Sequence, residues 1–206
     1  MLAQELVNTV VQLTVALLIV GLAWAAFGRR KAGFAEWLGL VRPARGWVRP
    51  TLVLFLAILA VTLPIFLLTP LIEAVTAGNT VGGKLAGQPW GFGLLATIAI
   101  MAFAKTALSE EIFFRGLIAR RLIGWLGFAR GNALQAALFG SIHLIIFAVP
   151  NGPEPTPLAI AALFFIPSAA GWLMGYANQQ YGGGSIVPGW TIHAGGNFLA
   201  YMSFAT

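Results

Sequence analysis

The chain is divided into apolar runs long enough to cross a bilayer, and most charged residues fall in the connections between the runs. Charged residues make up 9% of the sequence, against roughly 25% in an average soluble domain. In hydrocarbon every backbone polar group must be satisfied internally, so runs of about 20 apolar residues are expected to be helical. We therefore predict an all-α, polytopic transmembrane bundle that forms a single membrane domain over residues 1–206.

The apolar runs predict about six spans. They are expected at about 6–27, 50–72, 91–126, 132–149, 158–179 and 186–206. The third is too long to lie wholly within the membrane. Asn132, followed three residues later by Gln135, predicts a capping box at the start of the fourth, and residues 73–90 predict an external loop made of turns.

Basic residues predict the orientation of the bundle. Residues 28–49 carry six Lys or Arg against one Glu, and connections rich in Lys and Arg stay in the cytoplasm. This segment is therefore expected to lie along the cytoplasmic interface, with the N-terminus outside. The expected location is the plasma (inner) membrane of a prokaryote.

The amino-acid inventory excludes several functions. The sequence has no Cys and no Asp, so a thiol hydrolase and an intramembrane aspartyl dyad are excluded. It has neither a G-x-S-x-G elbow nor an H-E-x-x-H zinc motif. The net charge of +6 is carried by basic residues at the ends of apolar runs. This pattern indicates membrane topology and contact with membrane lipids, and no nucleic-acid partner is expected.

Two adjacent glutamates, Glu110 and Glu111, stand within an apolar stretch. A carboxylate near hydrocarbon costs roughly 2.5–3.5 kcal/mol, so two of them indicate a function. Arg115 follows Glu111 by four residues, in the order that favours an ion pair. Glu110 lies about 100° further around a helix and is expected to be freer to act as a base. Simple charge balancing is disfavoured because acids are stabilised at helix N-termini.

The two histidines of the chain, His143 and His193, also lie in apolar runs, and Asn197 follows His193 by four residues. This spacing places an imidazole and a carboxamide on one helix face. Three helices thus bring polar groups to similar depth on the cytoplasmic side, where a water-filled cavity is expected. The residues suit either water activation with oxyanion stabilisation or a metal site with histidine and carboxylate ligands.

Three motifs in this order resemble those of the CPBP family: Glu110-Glu111-x-x-x-Arg115, Phe139-x-x-x-His143 and His193-x-x-x-Asn197. That family comprises type II CAAX prenyl endopeptidases and the bacteriocin-processing or immunity membrane proteins often called Abi. The resemblance covers residues 90–206 and makes this region the expected catalytic core. The two spans within residues 1–72 lie outside it.

The resemblance implies a role for each motif residue. Glu110 and His143 would activate the hydrolytic water, Glu111 and Arg115 would support them, and His193 with Asn197 would stabilise the oxyanion. A divalent metal such as zinc would use Glu110, His143 and His193, and we favour a mechanism without metal. The implied activity is intramembrane endoproteolysis, with a hydrophobic or lipidated peptide or protein as the substrate.

Two other functions fit the same residues. A non-catalytic immunity or scaffold protein would keep the shape of the site and act by binding. An ion or proton transporter would use the Glu and His side chains as a relay. Neither the oligomeric state nor the prenylation of a substrate follows from the sequence.

Overall fold

A computed structural model describes residues 1–205, with Leu67 described by its backbone only. Thr206, the last residue of the sixth predicted span, lies outside the described residues. Over the described range the secondary structure is helical, which confirms the all-α bundle. The α-helices are α1 (Leu2–Phe27), α2 (Phe34–Leu38), α3 (Val48–Leu68), α4 (Leu71–Thr76), α5 (Val81–Leu85), α6 (Phe92–Ala99), α7 (Arg120–His143), α8 (Pro157–Gln180) and α9 (Val187–Phe204).

Four helical segments of the described chain are long and apolar enough to cross a membrane: Leu2–Phe27, Val48–Phe66, Phe92–Ala148 and Pro157–Gln180. The third and fourth predicted spans therefore run together in one segment of 57 residues. The last predicted span, α9, is helical but is not among the four. With these segments the chain is an integral membrane protein.

The segment Phe92–Ala148 is not one regular helix. Between α6 and α7 it contains two π-helical stretches, Ile100–Leu108 and Glu111–Ala119, and a 3-10 turn, Leu144–Ala148, follows α7. Gly127 has φ 76° and ψ 167° and kinks α7. The break between the third and fourth spans was thus correctly expected near residue 126.

The capping box predicted at Asn132 is wrong, because Asn132 lies inside α7. Its Nδ2 donates to the carbonyl of Trp172 (2.9 Å), and Gln135 Nε2 donates to Asn132 Oδ1 and to the Gly171 carbonyl (both 3.0 Å). The two amides are buried and bond α7 to α8. Side chains that compete for backbone bonds in water act here as links between helices, as polar residues do in membranes.

Residues 73–90 are also more regular than the predicted turns. The short helices α4 and α5 occupy residues 71–85, and Thr80 caps α5 by accepting a hydrogen bond from the Gly83 amide (3.0 Å). Turns do occur within this range, since Gly78 and Gly87 both have positive φ.

The N-terminal helix packs along the first π-helical stretch. Gln12 Nε2 donates to the Lys105 carbonyl (2.9 Å) and to Ser109 Oγ (2.8 Å). Lys105 Nζ in turn lies 2.6 Å from Glu5 Oε2, and Glu5 is 6% exposed. Lys105, a cation within the third apolar run, is therefore matched by the acid at the start of α1.

At the other end of α1, helix α2 contacts the beginning of α7. Arg120 Nη2 donates to the Glu36 carbonyl (3.2 Å), and Arg121 Nη2 donates to the Trp37 carbonyl (3.1 Å). The basic segment 28–49 and the basic end of the third span therefore lie together.

Candidate active site

The two adjacent glutamates lie at the junction of the two π-helical stretches. Glu111 begins the second stretch, and Glu110 precedes it with helical φ/ψ angles. The side chain of Glu111 is fully buried, whereas that of Glu110 is 26% exposed. π-Helical turns are rare and are found frequently at functional sites. The structure thus gives the two carboxylates different environments, as the sequence predicted.

Glu111 and Arg115 form a buried ion pair, with 2.9 Å between Glu111 Oε1 and Arg115 Nη1. The pair is close without a well-aligned hydrogen bond. The guanidinium also lies over the ring of Phe139, with Cζ 4.1 Å from the centroid. Removing one partner of a buried ion pair leaves an uncompensated charge, at a cost of about 3–5 kcal/mol. The predicted pairing is confirmed.

Gly171 on α8 has no side chain and so leaves room for the ion pair of Glu111 and Arg115. A Cβ atom at this position would lie 3.0 Å from Arg115 Nη2 and 2.9 Å from Phe139 Cδ1. Gly175, one turn further on, faces Asn132 so closely that a Cβ atom would overlap its amide. The small-residue spacing of Gly171 and Gly175 therefore allows α8 to pack closely against α7.

His193 on α9 lies between the two carboxylates. Its Nδ1 is 3.1 Å from Glu111 Oε1, and its Nε2 is 3.7 Å from Glu110 Oε2. Because an ionised carboxylate only accepts hydrogen bonds, the bond to Glu111 places the proton on Nδ1. Glu111 therefore has two partners, Arg115 and His193, of which the sequence indicated only the first.

His143 is the last residue of α7. Its Nδ1 is 2.7 Å from the Phe139 carbonyl, which can only accept, so Nδ1 carries the proton and Nε2 keeps its lone pair. The rings of His143 and His193 both pack edge-on against Phe139, with centroids 4.8 and 5.7 Å from that of Phe139. Phe139 thus fixes the spacing of the two imidazoles.

Asn197 lies one turn beyond His193 on α9. Its Nδ2 is buried and makes no hydrogen bond to any of the residues that the structure describes. An amide donor of this kind, held near a histidine on the same helix face, suits the stabilisation of a developing negative charge.

Two residues of the site were missed by sequence reasoning, Asn178 on α8 and Gly189 on α9. Asn178 is 4% exposed, and its Oδ1 accepts a hydrogen bond from the Gly189 amide (2.7 Å). A Cβ atom on Gly189 would lie 2.8 Å from both Glu111 Oε2 and Asn178 Nδ2. Gly189 therefore lets α9 approach Glu111. No spacing in the sequence links these positions, although a lone Asn in an apolar helix is a signal that could have been followed.

The described residues do not form the metal site that the sequence left open. No group of three or more His, Cys, Asp or Glu side chains among residues 1–205 is arranged to hold a metal ion. We therefore derive no step through a metal.

Comparison with known proteins adds one finding. A family model described as "Type II CAAX prenyl endopeptidase Rce1-like" matches residues 90–199, just over half of the chain. The match contains all six predicted site residues. No match was found among curated proteins or among solved structures.

Proposed function

The chain belongs to the Rce1-like family of type II CAAX prenyl endopeptidases, and on that premise we propose that it hydrolyses a peptide bond in a membrane-associated protein or peptide. The substrate class that fits is a hydrophobic, prenylated or CAAX-like tail, since such a tail reaches a site set among membrane helices. One observation carries the proposal: His193 lies between the carboxylates of Glu110 and Glu111, 3.7 and 3.1 Å away.

In the mechanism we propose, Glu110 and His143 activate the hydrolytic water. Glu110 is the more accessible carboxylate, and its Oε2 makes no hydrogen bond within the described chain. With Nδ1 of His143 bonded to the Phe139 carbonyl, Nε2 is the atom that would accept a proton from water. A carboxylate and an imidazole placed in this way act as general bases, which contribute typically about 10²–10⁴-fold to a rate.

The remaining residues hold the site and bind the oxyanion. Glu111 fixes the ring of His193 through Nδ1, so that Nε2 points towards Glu110 and the reacting group. Arg115 balances the charge of Glu111. The tetrahedral oxygen would be bound by the Nδ2 group of Asn197, which is buried and needs an acceptor, and by His193 as an imidazolium, which donates from Nε2 as well as from Nδ1.

We propose that this mechanism works without a metal. It is supported by the spacing of Glu110, His143 and His193, which among the described residues provides no three-ligand group. Cleavage should then continue after treatment with a strong zinc chelator. Loss of cleavage on chelation, with recovery on adding Zn²⁺, would contradict the metal-free mechanism but leave the protease assignment intact.

We further propose that the cavity opens to the cytoplasm, with the N-terminus outside, in the plasma (inner) membrane of a prokaryote. The clustering of segment 28–49 with Arg120 and Arg121 supports this orientation, because basic residues collect on the cytoplasmic face.

The experiment is a cleavage assay on the purified protein in lipid vesicles, with a prenylated CAAX-like peptide. Glu110→Gln and His143→Ala should each lower kcat/KM by about 10²-fold or more, while far-UV circular dichroism stays unchanged. Glu154→Gln, which removes an exposed loop carboxylate, is the matched control. Turnover near wild type in either site variant would refute the proposal. Comparing membrane-peptide products in cells with wild type and Glu110→Ala would identify the substrate.

A further inference from the structure

A cleft away from the glutamate pair lies at the basic end of the bundle. It has a volume of about 530 Å³ and lies where the segment after α1, helix α2 and the first turns of α7 meet. The side chains that define its chemistry are Lys31, Glu36, Trp37, Arg120, Arg121 and Trp125. Three of these six are cations and two are tryptophans.

The two arginines are held in place by backbone carbonyls. Arg120 Nη1 donates to the Gly184 carbonyl (2.7 Å), and Arg121 donates to the Trp37 carbonyl from Nη1 and Nη2 (3.2 and 3.1 Å). The Arg121 guanidinium also stacks on the Trp37 ring, 3.3 Å from its centroid. A guanidinium has five N–H donors, so each arginine keeps donors that point elsewhere. Their geometry is fixed before any ligand arrives.

The protein neutralises only part of the positive charge of the cleft. Within residues 1–205, none of Lys31, Arg120 and Arg121 has a carboxylate at ion-pair distance. Glu36 is the one acidic residue that lines the cleft. Adjacent cations in a partly enclosed site repel each other, and a bound anion would remove that repulsion.

The edge of the cleft has the character of a membrane–water interface. Trp125 is 79% exposed, and the neighbouring Leu126 is 44% exposed. Phe27, one turn before Lys31, is 75% exposed. Tryptophan is enriched at the headgroup level of bilayers, and arginine binds phosphate through two parallel hydrogen bonds. Cations inside the cleft therefore adjoin apolar side chains that suit acyl chains.

We propose that this cleft binds the phosphate headgroup of an anionic membrane lipid, with Arg120, Arg121 and Lys31 contacting the phosphate and Trp125 lying beside the acyl chains. A free phosphate ion would use the cations but not the apolar edge. The bound lipid would join segment 28–49 to the start of α7. The proposal does not rest on catalysis, and its test needs no substrate.

The test measures lipid retention by the purified protein. Native mass spectrometry after titration with phosphatidylglycerol or phosphatidylcholine gives an apparent Kd for each lipid. Phosphatidylglycerol should bind the wild type at least about tenfold more tightly than phosphatidylcholine. Equal binding of the two lipids would overturn the proposal.

Matched variants distinguish binding in this cleft from general electrostatic attraction between the basic surface and anionic lipid. Lys31→Glu, in the cleft, should weaken phosphatidylglycerol binding at least about fivefold, and Arg121→Gln should do so as well. Arg30→Glu makes the same charge change one residue outside the cleft and should alter binding by less than about twofold. Equal effects of Lys31→Glu and Arg30→Glu would refute the site. Since Lys31 is exposed and makes no side-chain bond in the described structure, its variant decides the question even if Arg121→Gln does not fold.

Competition with inorganic phosphate separates the two sources of the anion. Excess inorganic phosphate should leave the bound phosphatidylglycerol in place because it cannot replace the contacts at the apolar edge. Displacement of the lipid by phosphate would overturn the lipid assignment and identify an anion site.

Discussion

Gly189 allows the packing around Glu111 to be tested with a single methyl group. A Cβ atom there would lie 2.8 Å from Glu111 Oε2 and from Asn178 Nδ2, where ordinary contact is 3.4–4 Å. Each atom would have to retreat by about 0.6 Å or more. Glu111 is 0% and Asn178 4% exposed, so neither can swing into open space. In Gly189→Ala we therefore expect α9 to move away and to carry His193 with it.

The size of the effect follows from this displacement. A misplacement of about 1 Å at a catalytic site costs about 10²-fold in rate, so a shift of about 0.6 Å should lower kcat/KM by about ten- to a hundredfold. Overpacking costs typically 1–3 kcal/mol, and alanine regains about 1 kcal/mol over glycine in a helix. The free energy of unfolding should therefore fall by no more than about 2 kcal/mol, and the variant should remain folded.

The assay is peptide cleavage in vesicles, together with thermal unfolding in the same lipid. Gly93→Ala is the matched control, because Gly93 also lies in the first turn of a helix and a Cβ atom there meets nothing within 4 Å. The control should keep full activity and gain slightly in stability. If Gly189→Ala cleaves as fast as Gly93→Ala, the close approach of α9 to Glu111 does not position the site, and the reasoning fails.

Three further variants test other contacts. Arg115→Met leaves Glu111 buried without its counter-charge and should lower the free energy of unfolding by about 3–5 kcal/mol; an unchanged unfolding midpoint would contradict the buried pair. Asn197→Ala should lower kcat by about 10²–10³-fold with little change in KM, and a rise in KM alone would instead indicate substrate binding. Gly175→Ala forces a methyl group against Asn132 and should cost about 1–3 kcal/mol in unfolding experiments, whereas a stabilised variant would show that α7 and α8 are not in close contact.

Much of the fold could be predicted because the bilayer constrains it so strongly. Long apolar runs must form helices in hydrocarbon, and the third span was expected to end at about residue 126, next to the kink at Gly127. Asn132 and Gln135 were misinterpreted as a helix cap because they have the spacing of a capping box. Their side chains instead donate to carbonyls of α8. These partners depend on which helix packs against α7, and the spacing of residues within one helix does not indicate that.

Six residues of the candidate site were predicted from the sequence, but most of the contacts between them were not. Four-residue spacing was enough to expect the Glu111–Arg115 pair. Helix periodicity did not indicate the π-helical turns on either side of Glu110, because a π turn is a local departure that packing imposes. The hydrogen bond between His193 and Glu111 joins residues 82 positions apart. Gly189 contributes to the site because it lacks a side chain. Neither feature produces a local sequence pattern from which it could be predicted.

The contact between Glu5 and Lys105 has a consequence for the modularity of the protein. The family match begins at residue 90, which suggests that the first two spans are dispensable additions. Yet Lys105 lies within the matched region and takes its counter-ion from the first turn of α1, and Gln12 hydrogen-bonds the same stretch. A shortened chain that starts near residue 90 would leave the Lys105 ammonium group without its counter-ion. We therefore expect the region that matches the family model to lose stability without the N-terminal helix, which lies outside the match.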